Sequence, residues 1–214
     1  WRIALLTLAV AFIPLFFDNS LPTSIVGSVL VGFGFAGVIT TMDLIGAYGL
    51  FNLSGDLWVE AREADEQDLL LVHSPEYLEI LKQANTGQVP SGAWQYGLGS
   101  GDNPVFAGFY DWSLLVTGAT LECIRQVRYE SRRIAFNIAG GLHHALPGRA
   151  SGFCYINDPA VGIAKMVRDG LRVVYLDIDV HHGDGVEAVF FNTDQVLTIS
   201  LHPPGACFYP LTRQ

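Results

Sequence analysis

The sequence predicts an α/β protein built around a mainly parallel sheet, and three observations support that class. Strand-like and helix-like segments alternate along the second half of the chain, an order that joins parallel strands through helices packed on the sheet. Half of the 214 residues are hydrophobic, which is enough for a sizeable core. Ionisable side chains gather directly after an apolar, valine-rich segment, at the position where open α/β sheets bind their ligands.

Two helices are predicted in the middle of the chain. The segment SPEYLEILKQA, residues 74–84, carries Ser74 as its N-cap and Pro75 at the first helical position, both typical of helix starts. Glu76 adds a negative charge in the first turn, where the helix dipole favours it. An apolar stripe predicts a second helix over residues 111–127.

The remaining elements follow in alternation. A strand over residues 133–141 is predicted to run into a glycine turn. A helix is predicted over 157–170, with Pro159 near its start and Gly170 at its end. The chain then continues with a strand over 171–180, a short helix over 185–191 and a strand over 195–202. This order of elements predicts parallel pairing with the helices on the sheet faces.

The composition narrows the range of possible functions. The formal net charge is −9 and only 15% of the residues are charged, so the chain lacks the basic face that a direct nucleic-acid binder needs. An acidic balance permits a cationic substrate without requiring one. The three cysteines, Cys123, Cys154 and Cys207, form no CxxC pair, which favours a reduced, cytoplasmic setting.

The first 42 residues differ from the rest. Two almost uncharged runs, residues 3–17 and 24–40, are separated by the turn-like DNSLPT. Each run is slightly shorter than the ~20 residues of a bilayer span. Residues 1–42 are therefore predicted either as a transmembrane helical hairpin, which would attach the protein to a membrane, or as a pair of buried core segments. Residues 43–214 are predicted to form a separate α/β domain.

The segment YLDIDVHHGDG, residues 175–185, places three aspartates and two histidines at the end of a predicted strand. Alternate residues of a strand share a face, so Asp177, Asp179 and His181 are predicted to point the same way. Carboxylates crowded on one face repel unless a cation or proton lies between them, and this donor set suits zinc, iron, cobalt or manganese better than calcium. A buried hydrogen-bond network that only orders the loop is the alternative, but the number of ionisable groups favours a metal site.

A second histidine cluster follows the preceding predicted strand. In GGLHHALPGRASGFCY, residues 140–155, Gly140 and Gly141 permit a sharp turn just before His143 and His144. Because both predicted strands end at the same edge of the sheet, these histidines are expected to lie beside the carboxylate cluster. Adjacent histidines with different partners can act as an acid and a base, so the pair is a candidate for proton transfer.

These two histidine motifs, together with CYINDPAVGIAKM, TISLH, AYGLF and YGLGSGDNPVF, resemble the histone deacetylase superfamily from about Leu44 onward. The resemblance is to the class I enzymes and to the acetoin-utilisation deacetylases. It implies an arginase/deacetylase-like three-layer α/β/α fold around a mainly parallel sheet, of which this chain holds an incomplete part. Zinc is then expected at the base of a narrow tunnel.

The resemblance also implies roles for individual residues. His143 and His144 match the tandem active-site histidines, and Asp177 and Asp184 match the acids that orient them. Asp179 and His181 match two of the three ligands to one zinc ion, for which Fe²⁺ or Co²⁺ is an acceptable substitute. In this family the third ligand lies at a position beyond Gln214.

Substrate and potassium sites are implied in the same way. The residues that line the tunnel and its rim in this family correspond here to Asp102, Gly152, Phe153 and Tyr209. One structural potassium site matches Asp177, Asp179, His181, Ser200 and Leu201, and a second matches Phe190, Thr193 and Val196.

The implied reaction is hydrolysis of an acetamide, on acetyl-lysine or a similar acetylated amine, by metal-activated water and the histidine pair. The tyrosine that polarises the carbonyl in this family also lies at a position beyond Gln214. The family's early HisPro segment is replaced by residues 1–42, which resemble a piece of a membrane transporter. The 214-residue chain is therefore expected to deacetylate poorly or not at all. The alternatives are a non-catalytic metal-binding or membrane-tethered remnant and an arginase-like manganese ureohydrolase.

Overall fold

The computed structural model describes residues 58–99 and 101–202. The chain divides into two compact units, Trp1–Val59 and Glu60–Gln214, and the helices and strands of the described ranges belong to the second. In chain order they are α1 (Glu66–Leu69), α2 (Pro75–Ala84), a 3₁₀ helix (Ala93–Tyr96), α3 (Phe109–Tyr129), α4 (Asp158–Arg168), β1 (Val173–Asp177), α5 (Asp184–Phe190) and β2 (Val196–Ser200).

Both helices predicted in the middle of the chain are confirmed. The Ser74 hydroxyl accepts a hydrogen bond from the backbone N–H of Tyr77 over 3.3 Å and so caps α2. Helix α3 begins at Phe109, two residues before the predicted start. The side-chain oxygen of Asn85 accepts from the N–H of Tyr110 over 2.9 Å. A distant partner therefore satisfies a helix start that the local sequence does not cap.

Strands β1 and β2 pair in parallel, with Val173 opposite Val196 and Asp177 opposite Ser200. Helix α5 lies between them in the chain, and α4 and α5 cover one face of the sheet. The covering cluster combines Val186 and Phe190 of α5 with the inward side chains of both strands. The predicted class and the parallel pairing are confirmed, and the carboxyl ends of both strands lie at one edge.

The other face of this sheet is apolar but exposed. Val174, Leu176, Leu197 and Ile199 alternate with the covered residues, and each is 36–66% accessible. Parallel sheets carry apolar side chains on both faces because helices normally cover both. The residue pattern is therefore that of a sheet with cover on both sides.

The strand predicted over residues 133–141 is wrong for the described structure, where this segment joins neither β1 nor β2. Ile134, Phe136 and Ile138 alternate as a strand requires, yet they are 56–86% exposed. The Asn137 side chain instead ties the segment to α3 by donating to the Val116 carbonyl over 3.0 Å. Side-chain alternation does not make a strand unless the backbone pairs with a neighbour.

The main core lies among α1, α2, the 3₁₀ helix and α3. Tyr77 and Phe109 are fully buried there. Tyr77 Oη donates to the backbone carbonyl of Tyr155 over 2.7 Å, and the Tyr155 ring packs on Phe109 with the centroids 4.6 Å apart. This core therefore anchors the end of the loop that carries the tandem histidines.

Within the ranges 58–99 and 101–202, no helix is both long and apolar enough to span a bilayer. Three predictions lie outside the described residues: the apolar segment 1–42, its membrane attachment and the domain boundary at residue 43.

Candidate active site

His143 is held by a buried carboxylate. Its Nδ1 lies 2.6 Å from Asp177 Oδ2, and the Tyr175 hydroxyl donates to the same oxygen over 2.7 Å. Burial raises the pKa of Asp177, but the hydrogen bonds from His143 and Tyr175 outweigh it and bring the pKa down to about 2. An ionised carboxylate only accepts hydrogen bonds, so Nδ1 of His143 carries the proton.

His144 has a carboxylate of its own. Its Nδ1 lies 2.6 Å from Oδ1 of Asp184, the first residue of α5, and the N–H of Gly185 also donates to that oxygen over 2.9 Å. The hydrogen bond leaves Nε2 as the ring nitrogen that faces the site. Both sequence-predicted pairs, His143 with Asp177 and His144 with Asp184, are therefore brought together as expected.

The two rings converge through their remaining nitrogens. Nε2 of His143 and Nε2 of His144 are 3.1 Å apart, with the ring centroids 4.1 Å apart. Two unprotonated nitrogens at this distance would repel, so the pair holds one proton between them. Burial lowers the pKa of His143, but its hydrogen bond to Asp177 and the charges of Asp177, Asp179 and Asp184 together raise it above its usual value. His143 is therefore more readily protonated than a free histidine.

Asp179 and His181 lie in the loop after β1. The strand ends at Asp177, so its predicted continuation to Val180 is wrong. Asp177 Oδ1 accepts from the Asp179 N–H over 3.0 Å, and Asp179 Oδ1 accepts from the His181 N–H over 2.7 Å. These carboxylate-to-backbone hydrogen bonds replace the ladder and turn the chain, and they also bring the two predicted metal ligands side by side.

The donor atoms of this loop suit a metal ion. Asp179 Oδ1 is 2.9 Å from His181 Nδ1 and 3.9 Å from His143 Nε2. Since zinc lies about 2.0–2.2 Å from such ligands, one ion can contact both Asp179 and His181. Among the residues that the structure describes, no three His, Cys, Asp or Glu side chains are grouped to hold a metal. Asp179 and His181 are the two ligands predicted in that part of the chain.

The predicted potassium residues are also near one another. The carbonyl of Asp177 accepts from the N–H of Leu201 over 2.8 Å, beside the paired residue Ser200. The carbonyl of Phe190 accepts from the N–H of Thr193 over 3.2 Å, and Phe190 packs in one cluster with Val196. Both potassium sites stay predictions.

Gly152 lies beside the His144 ring, and Phe153 follows it in the chain; their role as a tunnel wall stays a prediction. Both have left-handed backbone conformations, with φ of 51° and 66°, and a Cβ on Gly152 would collide with the His144 ring. Phe153 is 45% exposed. The loop of Asp102 is joined to this wall because its neighbour Asn103 donates to the Cys154 carbonyl over 3.2 Å. Tyr209 lies outside the described residues.

Cys154 borders the wall as a structural residue. Burial raises the pKa of its thiol to about 12, and Sγ donates to the Gly152 carbonyl over 3.3 Å. A thiol in this state is protonated at neutral pH and is not a nucleophile.

Three residues of the site were missed from the sequence. Tyr175 was discoverable, because strand alternation puts it on the same face as Asp177. Asn157 and Asp158 begin a predicted helix, and no motif shows that their side chains reach the histidine loop. Those contacts depend on how the loop returns to α4.

Known proteins match most of the chain. The sequence model of the family described as "Histone deacetylase domain" matches residues 38–214. The acetoin utilization protein AcuC of Bacillus subtilis (strain 168) is 41% identical over 179 residues, which cover 83% of this chain and 46% of AcuC. Histone deacetylase RPD3 of Saccharomyces cerevisiae is 39% identical over 172 residues, which cover 79% of this chain and 39% of RPD3.

Solved structures of HDAC homologues also align with this chain. An HDAC homolog from Aquifex aeolicus aligns with a TM-score of 0.68 at 42% identity and covers 71% of this chain and 41% of its own. An HDAC homolog complexed with SAHA aligns with a TM-score of 0.69 at 40% identity, over 72% of this chain and 42% of its own. The chain thus spans less than half the length of these relatives. It belongs to the histone deacetylase superfamily and has the arginase/deacetylase fold.

Proposed function

We propose that this site belongs to a zinc-dependent deacetylase that hydrolyses the acetamide of acetyl-lysine or of a similar acetylated amine. The observation that carries the proposal is the histidine pair. His143 and His144 each bind a separate carboxylate through Nδ1, and their Nε2 atoms converge to 3.1 Å. Relatives named as histone deacetylases and as an acetoin utilization protein support the same chemistry.

The two histidines have different tasks in this proposal. His144 Nε2 accepts a proton from the attacking water as its oxygen bonds to the acetyl carbon. The same nitrogen then gives a proton to the leaving amine as the C–N bond breaks, so that acetate and the free amine are released. His143, whose pKa is raised, supplies positive charge to the developing oxyanion.

Asp179 and His181 would hold the zinc ion, and Fe²⁺ or Co²⁺ suits the same donors. When bound, such a metal acts as a Lewis acid toward the acetyl oxygen and the nucleophile. A catalytic zinc site has three protein ligands, so we infer that the third comes from outside the described residues. The same proposal includes structural K⁺ at the Asp177 and Phe190 sites.

The proposed substrate is slim and neutral. The missing side chain of Gly152 lets the His144 ring pack against its backbone. The half-exposed ring of Phe153 offers an apolar wall that suits the methylenes of an acetylated lysine. Asp102 is proposed to bind the substrate backbone at the rim. Direct nucleic-acid binding is not part of the proposal, given the net charge of −9, and the cytoplasm is the proposed location.

The test is deacetylation of an acetyl-lysine peptide by zinc-supplemented protein that also carries the family's third zinc ligand and tyrosine, since the 214-residue chain alone is expected to turn over poorly. We expect release of the free amine that stops with a chelator and falls about 10²–10⁴-fold in His144→Ala, since that variant lacks the base. His182→Ala is the matched control, because that ring instead pairs with Glu187 at 2.5 Å, and we expect nearly full turnover. Equal rates for wild type and His144→Ala would refute the proposal.

A non-catalytic metal-binding protein is the second candidate, because no group of three metal donors is found in the described part of the chain. Zinc binding that is lost in Asp179→Ala, without any release of amine by the wild-type protein, would favour it. Manganese-dependent release of urea from a guanidino substrate would instead favour the arginase-like alternative.

A further inference from the structure

The first two residues of the α4 region are polar yet almost completely buried. Asn157 is the N-cap of α4 and Asp158 its first residue, with exposures of 0% and 1%. Buried polar groups are normally retained only with hydrogen-bond partners, so the partners of these two side chains show what they do.

Asp158 binds the chain just before the tandem histidines. Its carboxylate accepts from the backbone N–H groups of Gly141 over 3.1 Å and of Leu142 over 2.8 Å. The Thr120 hydroxyl of α3 donates to the other oxygen over 2.5 Å. Two consecutive N–H groups of an irregular loop are thereby fixed to a helix start.

Asn157 binds the chain on the other side of the same histidines. Its Nδ2 donates to the carbonyl oxygens of His143 and Ala145, over 3.1 and 2.9 Å. Its Oδ1 accepts from the Ala160 N–H over 2.9 Å and so caps α4. One amide group therefore caps the helix and holds the loop.

A third buried residue fixes Asn157 itself. Nε2 of His73, which is 2% exposed, accepts from the Asn157 backbone N–H over 3.1 Å. His73 lies between α1 and α2, next to Ser74, whose N–H donates to the Pro147 carbonyl over 2.9 Å. The main core is thus connected through Asn157 to the loop of His143 and His144.

We propose that Asn157 and Asp158 are positioning residues that clamp this loop from both sides and so set the 3.1 Å spacing of the two Nε2 atoms. Residues 140–145 form no helix or strand, and the side-chain hydrogen bonds replace the missing backbone ladder. The effect of the clamp on turnover rests on the proposed deacetylation, whereas its effect on the histidine rings does not.

The test compares Asn157→Ser with Asn85→Ser. Serine at 157 keeps an oxygen that can cap α4 but loses the NH₂ that holds the loop. Asn85 is the matched control, because its side chain also accepts a backbone N–H at a helix start, that of Tyr110 in α3, far from the histidines in the chain. The readout is the ¹H NMR signal of the His143 Nδ1 proton in metal-free protein at one fixed pH, assigned by its loss in His143→Ala.

We expect the His143 signal to broaden or disappear in Asn157→Ser and to persist in Asn85→Ser, while the two variants melt at similar temperatures. In zinc-supplemented protein, kcat of Asn157→Ser is expected to fall about ten- to a hundred-fold with little change in KM, because a small misplacement of catalytic groups has effects of that size. An unchanged signal in Asn157→Ser would overturn the clamp and leave Asn157 as a helix cap only.

Two further outcomes have defined meanings. If Asn157→Ser does not fold, Asp158→Ala replaces it, since it removes the carboxylate that accepts from the N–H groups of Gly141 and Leu142. A retained His143 signal in that variant overturns the proposal, and a lost signal supports it. If protein that carries all three zinc ligands shows no turnover, the proposed function fails, and the NMR comparison still decides the clamp.

Discussion

His73 is a histidine that burial keeps neutral. Desolvation lowers its pKa to about 4, against smaller upward effects of the Pro147 and Leu146 carbonyls. Its Nε2 accepts the N–H of Asn157, so the ring proton resides on Nδ1. Protonation of Nε2 would set two N–H groups against each other and would release Asn157.

This geometry predicts that the free energy of unfolding decreases as the pH falls. The unfolded chain takes up a proton at His73 near pH 6.5 and the folded chain near pH 4. The stabilising contribution is therefore present above pH 6.5 and is lost as the pH falls toward 4, by about 3 kcal/mol in total. Urea unfolding at pH 7 and pH 4.5 measures the loss.

His73→Gln is the variant for comparison, because its amide oxygen can accept the same N–H without titrating. We expect its free energy of unfolding to fall less than that of the wild type over this range. His143 has a raised pKa and acts in the opposite direction, but it is common to both proteins and cancels. Parallel pH profiles would show that His73 is not the titrating group.

Among the elements, β1 shows how strand geometry prepares the site. Tyr175 and Asp177 share the covered face because they are two residues apart, and the Tyr175 hydroxyl donates to the carboxylate that holds His143. The strand therefore carries both the acid and, in Tyr175, one of the two side chains whose hydrogen bonds keep this acid ionised.

Tyr175→Phe is expected to lower the free energy of unfolding at pH 7 by about 1.5–3 kcal/mol, the range for a hydrogen bond to a charged group. The pKa of Asp177 should rise from about 2. Its stabilising contribution, present above the unfolded value of 3.8 and lost as the pH falls, becomes smaller, so the two proteins converge in acid. Tyr129→Phe is the control, since that hydroxyl makes an exposed 3.5 Å contact with Asp169. Equal losses in both variants would contradict the role of Tyr175.

The sequence predicted elements well where the signal was local. Ser74 and Pro75 define the start of α2, and Asn157 with Pro159 defines that of α4. Residues 133–141 were misassigned because their alternation says nothing about a pairing partner. The end of β1 at Asp177 was also missed, since carboxylates that bind the backbone compete with the ladder. His73 and Asn157 are 84 residues apart, and only the folded structure brings them together.

For the molecule as a whole, the two faces of the sheet differ. One is covered by α4 and α5, and the other exposes Val174, Leu176, Leu197 and Ile199. The curated relatives extend over more than twice the matched length. The family and fold were predictable from motifs near the strand ends, but the exposure of this face was not, because it depends on packing rather than on pattern.

An exposed apolar patch lowers solubility. Leu197→Thr is therefore expected to raise the protein concentration at which aggregation begins, measured by light scattering, with the melting temperature unchanged. Val196→Thr is the control one residue away, since Val196 is buried on the covered face, and we expect it to lower the melting temperature without improving solubility. A lower melting temperature in Leu197→Thr would mean that this face is covered in solution.

Phe153 holds a backbone conformation that disfavours any bulky residue, with φ of 66° at a cost of about 1–2 kcal/mol. Glycine would adopt it freely but would remove the proposed wall beside His144. Stability therefore favours glycine at position 153, whereas the proposed function favours phenylalanine. A library of residue-153 variants sorted for heat resistance should fill with glycine and asparagine, whereas the same library sorted for turnover should keep the aromatic ring.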